Sequence, residues 1–244
     1  LLLVIAGLAG CSPGSPPGVV TALRFLDVAS SSGVDHLLVS GGTEKLSIVE
    51  NIGTGVALLD ANGDGRLDLF LANAGRIKGG VVVPGPGLAL YLQGPAAGQF
   101  EEASGRLGLD FDGWATGVAV GDYDNDGDLD IFLACWGADR LWENRDGRFI
   151  EVGQLAGVDH DGLTTSAVFL DYDRDGKLDL YLCAYSPDRS LDADPQALGP
   201  LGDRFVFHDA ENGSPNSLFR NEIAPGESWR FTNVTTATGL DAHN

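Results

Sequence analysis

Short apolar runs alternate with acidic turns along most of the chain. Three times an apolar run leads into a nine-residue Asp-rich segment and out into a second apolar run. The first copy is Gly55-Val56-Ala57-Leu58-Leu59, Asp60 to Asp68, then Leu69-Phe70-Leu71. The second is Gly117-Val118-Ala119-Val120-Gly121, Asp122 to Asp130, then Ile131-Phe132-Leu133. The third is Ser166-Ala167-Val168-Phe169-Leu170, Asp171 to Asp179, then Leu180-Tyr181-Leu182. Apolar runs this short, bounded by Gly and Asp, predict strands rather than helices. Each pair of runs therefore predicts a hairpin with the acidic segment at its tip.

Two further patterns accompany the hairpins. Phe25, Phe100, Phe149 and Phe231 each open a segment that ends nine residues later in an aliphatic residue after Gly: Val34, Leu109, Val158 and Leu240. Leu90-Tyr91-Leu92-Gln93, Leu141-Trp142-Glu143-Asn144 and Leu218-Phe219-Arg220-Asn221 close three units, each ahead of the next Phe segment. Successive acidic loops start 62 and 49 residues apart. Units near 50 residues with several short strands predict an all-β fold of β-propeller blades. Phe100 and Phe149 each precede the first loop Asp by 22 residues, so after Phe231 another loop is expected near position 253. Propellers close with about four to eight blades, so the ring is expected to be incomplete, a fragment. Insertions at about 74–89 and 186–215 break the period, and loops of that length are usually functional or disordered.

The acidic loops read DANGDGRLD, DYDNDGDLD and DYDRDGKLD. Oxygen-bearing side chains stand at positions 1, 3, 5 and 9, and Gly at position 6. Ca²⁺ takes about six to eight hard oxygen ligands, and alternate positions of a tight loop aim their oxygens inward. Position 7 contributes only its carbonyl, so Arg66, Asp128 and Lys177 are free to differ there. The candidate ligands are Asp60, Asn62, Asp64, Arg66 and Asp68 in loop one. In loop two they are Asp122, Asp124, Asp126, Asp128 and Asp130, and in loop three Asp171, Asp173, Asp175, Lys177 and Asp179. An EF-hand needs Glu at position 12 and flanking helices. Position 12 is Leu71, Leu133 and Leu182, so position 9 supplies the closing carboxylate instead. Asp/Gly turns without metal are the bland alternative, but carboxylates this crowded repel one another without a cation. With Asn62 and Gly63, loop one carries less charge and a more pliant backbone, and is expected to bind weakest.

The pattern G-V-A-x-x-D-x-D-x-D-G-x-x-D-L resembles the FG-GAP/VCBS repeat of integrin α-subunit propellers and their bacterial relatives. The Phe segments and L-[YWF]-x-N closers are similar to the cartilage-acidic-protein-like group associated with ASPIC/UnbV domains. The resemblance covers about 25–244. It implies a propeller, usually seven-bladed, with Ca²⁺ in hairpin loops on one face, and extracytoplasmic adhesion or ligand binding more often than catalysis. The chain departs from it in having three acidic loops and no visible ASPIC/UnbV segment.

Residues 1–10, LLLVIAGLAG, are too short for a span of about 20 residues but suit the apolar core of a signal peptide. No basic segment precedes them, so the sequence is expected to start within the signal. Leu8-Ala9-Gly10-Cys11 resembles a bacterial lipobox, which makes Cys11 the lipidation site, and 11–24 form a Pro/Gly/Ser tether. Residues 25–244 carry the repeats. The expected location is extracytoplasmic, lipid-anchored to a bacterial envelope. Cys135 and Cys183 sit one register step apart after their loops, so they face opposite sides of their sheets and a disulfide between them is not expected.

A formal charge of −20, from 15 basic and 35 acidic residues, excludes a nucleic-acid partner, since nothing would displace phosphate counterions. It also excludes electrostatic attraction to anionic lipid, leaving the anchor as the membrane contact. A hydrophobic content of 43% suffices for a core. No nucleophile elbow, zinc signature, P-loop or dinucleotide fingerprint is present, so catalysis is not expected. His160 reads as a solvated loop residue. His208, beside Asp209 and Glu211, forms a minor metal or sugar candidate. Trp114 and Trp136 read as packing residues ahead of exposed ligand platforms. The function read from these features is a Ca²⁺-binding adhesion or binding module for a protein or glycan. Two alternatives stand beside it: a propeller scaffold for a secreted carbohydrate-active enzyme, and a purely structural surface protein.

Overall fold

Each apolar run flanking an acidic loop forms a strand, and the acidic loop is the hairpin that joins the pair. A computed structural model describes residues 25–43, 48–78, 81–186, 215–223 and 230–241. The strands are β1 Val56–Leu59, β2 Asp68–Leu71, β3 Gly75–Lys78, β4 Val81–Pro84, β5 Ala89–Gln93, β6 Phe100–Glu102 and β7 Trp114–Gly121. They continue as β8 Asp130–Ala138, β9 Arg140–Arg145, β10 Arg148–Glu151, β11 Asp161–Leu170, β12 Asp179–Ser186, β13 Ser217–Asn221 and β14 Phe231–Asn233. Among the described residues these make three antiparallel four-stranded blades: β1-β2-β5-β6, β7-β8-β9-β10 and β11-β12-β13-β14. The fold is thus an all-β propeller arrangement, incomplete at three blades where closure takes about four to eight. Blades two and three also join directly, because β8 pairs with β11 where it runs past β9, with Leu163 opposite Trp136.

The unit boundaries differ from the sequence pattern in one respect. Each closing segment is the third strand of its blade, and the Phe segment that follows pairs with it as the fourth: Tyr91 opposite Glu102, Phe149 opposite Asn144, Phe219 opposite Asn233. The Phe strands therefore end a blade rather than begin one. After each comes one helical turn: α1 Ser104–Leu107, α2 Gly153–Ala156 and α3 Thr235–Thr238. Each turn ends on a left-handed glycine, Gly108, Gly157 or Gly239, the usual way to satisfy the last carbonyls of a helical turn. The Phe25 segment forms no strand. Its 3₁₀ turn, Ser30–Ser32, packs Val34 and Ala29 on Leu69, Leu71 and Tyr91 of the first blade. The insertion at 74–89 is an ordered hairpin, β3 with β4, because Val81-Val82-Val83 supplies a β-branched run that pairs with Arg76 and Ile77. The second insertion lies almost entirely outside the described residues.

Period-two alternation sends successive residues of one strand into two different cores. Ile131, Leu133 and Cys135 of β8 pack with Phe70, Leu90 and Leu109 between blades one and two. Phe132 and Ala134 pack with Leu180, Leu182 and Phe219 between blades two and three. Each such fully buried large side chain stabilises by about 1.5–3 kcal/mol, so the central blade is held from both faces. The first strands of the blades approach closely: a Cβ on Gly55 would lie 2.6 Å from the Val118 nitrogen, and one on Gly117 would lie 2.9 Å from the Thr165 oxygen. That crowding explains the Gly at the head of two of the hairpins. The alternation also separates the thiols. Cys135 is buried between blades one and two, Cys183 is half-buried, and both are free.

Candidate metal centre

The three acidic loops are one structure repeated. The position-1 carboxylate accepts the backbone N–H groups of positions 5 and 6. Asp60 takes Asp64 and Gly65 at 3.0 and 2.7 Å, Asp122 takes Asp126 and Gly127 at 3.1 and 3.0 Å, and Asp171 takes Asp175 and Gly176 at 3.1 and 3.1 Å. Position 3 (Asn62, Asp124, Asp173) accepts the N–H of position 5, and position 5 accepts that of position 7. Position 4 is left-handed in every loop, at Gly63, Asn125 and Arg174. Gly63 therefore meets a backbone requirement common to the three loops, beyond the pliancy expected of it.

Position 9 anchors the loop to its blade. Asp68 accepts Ala61 N–H at 2.9 Å and Gln93 N–H at 2.7 Å. Asp130 accepts Tyr123 and Asn144 at 3.0 and 2.8 Å, and Asp179 accepts Tyr172 and Asn221 at 3.0 and 2.9 Å. All three are fully buried. Each carboxylate oxygen has about two lone pairs, so one N–H on each leaves capacity for a cation. Burial pushes Asp130 up to about 8, against the pull of its two N–H donors. Burial, then the Asp126 and Glu143 carboxylates, push Asp124 up to about 6. Burial likewise raises Asp68 and Asp179.

Oxygens of Asp122, Asp124 and Asp130 lie within 4.8 Å of one another, as do those of Asp171, Asp173 and Asp175. Two oxygens on opposite sides of a Ca²⁺ ion, each at about 2.4 Å, are about 4.8 Å apart. The oxygens of each trio are therefore no farther apart than two ligands of one such ion. Among the described residues loop one forms no trio of this kind. Its position 3 is Asn62, and Asp64 pairs with the Arg66 guanidinium. Of the position-7 side chains, Lys177 stands 3.5 Å from Asp175, and Asp128 accepts the Asp146 N–H from the β9–β10 turn at 2.8 Å. Position 12 lies in a strand in each copy, with Leu71, Leu133 and Leu182 buried, and strands flank the loops where an EF-hand has helices.

His160 differs from its reading as solvated. It is half-buried, with Nδ1 3.2 Å from the Thr164 hydroxyl and 3.9 Å from Asp139. Asp139 is fully buried and accepts the Thr164 hydroxyl at 2.8 Å and the Cys135 N–H at 2.7 Å. Burial lowers the His160 pKa and raises that of Asp139 well above the usual range. This group braces the β8–β11 junction, and no residue near it in sequence announced it. Trp114 is buried and meets half-buried Trp136 edge to face, centroids 5.8 Å apart, so both are packing residues. Cys11, His208, Asp209 and Glu211 lie outside the described residues.

Antiparallel four-stranded blades packed face to face, each with an acidic loop at its first complete hairpin, define a propeller-type repeat protein. The chain belongs to the FG-GAP-like repeat family, which matches residues 60–133 and 122–182, together half of its length. Among curated proteins none matches.

Proposed function

We propose that this chain is a Ca²⁺-stabilised propeller segment of an extracytoplasmic protein, serving as a binding or adhesion module for a protein or glycan. The observation that carries the metal is the pair of carboxylate trios in loops two and three. They offer only hard oxygens, gathered closely enough to share one Ca²⁺. The lipobox-like Leu8-Ala9-Gly10-Cys11 supports attachment to a bacterial envelope, and the excess of acidic residues argues against nucleic acid. The module is read as non-catalytic, with the blades presenting a rigid surface and the ions holding the loops that shape it. Calorimetric titration with Ca²⁺ tests the metal. Affinities of about 10⁻⁴–10⁻³ M, typical of extracellular modules, are expected, with loop one weakest and Asp→Ala changes in loops two and three removing most of the heat. The absence of any Ca²⁺-dependent heat would overturn it. A glycan array run beside a hydrolase and lyase activity screen separates a binding module from an enzyme scaffold.

A further inference from the structure

The last residue of the second and of the third closing pattern sits where two blades meet. Asn144 ends LWEN and Asn221 ends LFRN; both are fully buried and every polar atom of each side chain is engaged. The Asn144 amide donates to the Leu129 carbonyl of its own loop at 3.2 Å. It also donates to the Ala61 carbonyl of loop one, 83 residues away, at 3.1 Å. Its oxygen accepts the Gly147 N–H at 2.9 Å, and its backbone N–H serves Asp130. Asn221 repeats the arrangement one blade on. It donates to Leu178 of its own loop at 3.1 Å and to the Tyr123 carbonyl of loop two at 2.6 Å, accepts the Ile223 N–H, and serves Asp179. In the first blade the same place is held by Gln93, whose amide reaches Leu67 of its own loop.

We propose that Asn144 and Asn221 are positioning residues that couple the three acidic loops in series: each fixes position 8 of its own loop and position 2 of the preceding one. Position 2 matters because its N–H is one of the two that hold the position-9 carboxylate, through Ala61 to Asp68 and Tyr123 to Asp130. The carbonyl and the N–H belong to the two peptides that flank one residue, so a shift of that residue in one loop moves the closing carboxylate of the same loop, and the shift is set by the next blade. Docking of a blade and cation affinity of the loop before it become two readings of one equilibrium, which linkage makes reciprocal. The effect on cation affinity rests on the Ca²⁺ reading above. The mechanical coupling does not.

Amide hydrogen exchange on the full chain, read at Ala61, Tyr123 and Tyr172, distinguishes the two. Asn144→Asp keeps the shape but turns the donor toward two carbonyls as an oxygen. It is expected to speed exchange at Ala61 by about tenfold, leaving Tyr172 unchanged. Asn221→Asp is expected to do the same at Tyr123. Equal acceleration at all three amides, or none at Ala61, overturns the proposal. Should the variants not fold, the wild-type protein in mild denaturant still decides. Ala61 and Gly147 are expected to exchange through one common opening, and independent openings refute the coupling. With Ca²⁺ added, Asn144→Asp is expected to need several-fold more ion to protect Ala61 than wild type, at unchanged demand for Tyr172. Ca²⁺ protecting no loop in wild type, with the exchange pattern intact, sinks the Ca²⁺ reading and leaves the coupling standing.

Discussion

Arg66 stands at loop position 7, where only a carbonyl is called for, yet its side chain alters the site. The guanidinium pairs with Asp64 and its Nε donates to the Gln93 carbonyl at 2.9 Å, so one candidate ligand of loop one is already engaged by a cation. The pair is partly exposed and worth about 0.2–1 kcal/mol. Arg66→Gln is therefore expected to tighten Ca²⁺ at loop one by a factor of about 1.4–5, seen by calorimetry. Weaker binding would mean that Asp64 is no ligand. Asp130, a member of the loop-two trio, and Asp126, a candidate ligand outside it, differ in how much backbone they hold. Asp130 holds two backbone donors in the interior, and the NH₂ of an Asn there has no lone pair to offer one of them. Asp130→Asn is expected to cost about 1–3 kcal/mol in metal-free denaturant unfolding. Asp126 is exposed and, among the described residues, accepts the Asp128 N–H alone, which an Asn carbonyl also accepts. Asp126→Asn is expected to change stability by less than about 0.5 kcal/mol while weakening Ca²⁺ binding. A reversal of these two orders would contradict the assignment.

At the scale of elements, the turn after the fourth strand is tied to the third strand by a hydroxyl in two blades and not in the middle one. Ser104 and Thr235 accept the backbone N–H of Leu90 and Leu218 through their hydroxyls, at 2.7 and 2.9 Å. In the middle blade that place is Gly153, and a Cβ added there would lie 3.0 Å from the Leu141 nitrogen and 2.9 Å from the movable Glu151 carboxylate. Gly153→Ser is expected to be more stable than Gly153→Ala by about 0.5–1.5 kcal/mol, by chemical denaturation. Equal effects of the two would leave the hydroxyl without a role. These turns also mark where the sequence stopped being informative. The acidic hairpins were legible because their chemistry is written in local spacing, and the opposed faces of Cys135 and Cys183 followed from the two-residue period of a strand. A four-residue turn carries too little periodicity to announce itself. Gly108 and Gly157, each followed by a buried aliphatic, were visible as a repeat but not as helix caps. The cross-blade reach of Asn144 and Asn221 was illegible, because partners 83 and 98 residues away leave no local pattern. The wiring of Asp139, Thr164 and His160 was hidden because it forms only where β8 and β11 pair, 25 residues apart between Asp139 and Thr164.

For the whole molecule, the decisive fact is that a chain with a formal charge of −20 buries carboxylates at the base of its loops. Without a cation, burial holds Asp130 near 8 and Asp124 near 6, both above the value of about 3.9 for an unfolded Asp. The sign of the pH dependence follows. Between about 4 and 8 the folded state keeps protons that the unfolded chain releases, so folding takes up protons and stability falls as pH rises. A bound Ca²⁺ favours the ionised carboxylates and displaces those protons. It also stabilises the fold by about 2.7 kcal/mol per site at a hundredfold excess over Kd. The melting temperature in chelator is thus expected to fall as pH is raised through this window, while saturating Ca²⁺ raises it and flattens the slope. Mg²⁺ is expected to restore it poorly, because it demands a smaller octahedral shell and gives up its waters reluctantly. Asp130→Asn removes the highest of these pKa values and is expected to flatten the chelator curve on its own. Scanning calorimetry across pH, with chelator, Ca²⁺ and Mg²⁺ in parallel, decides it. A chelator curve that rises with pH would mean the buried carboxylates are ionised without a cation. Melting that chelation leaves unchanged would make the three loops Asp/Gly turns and nothing more.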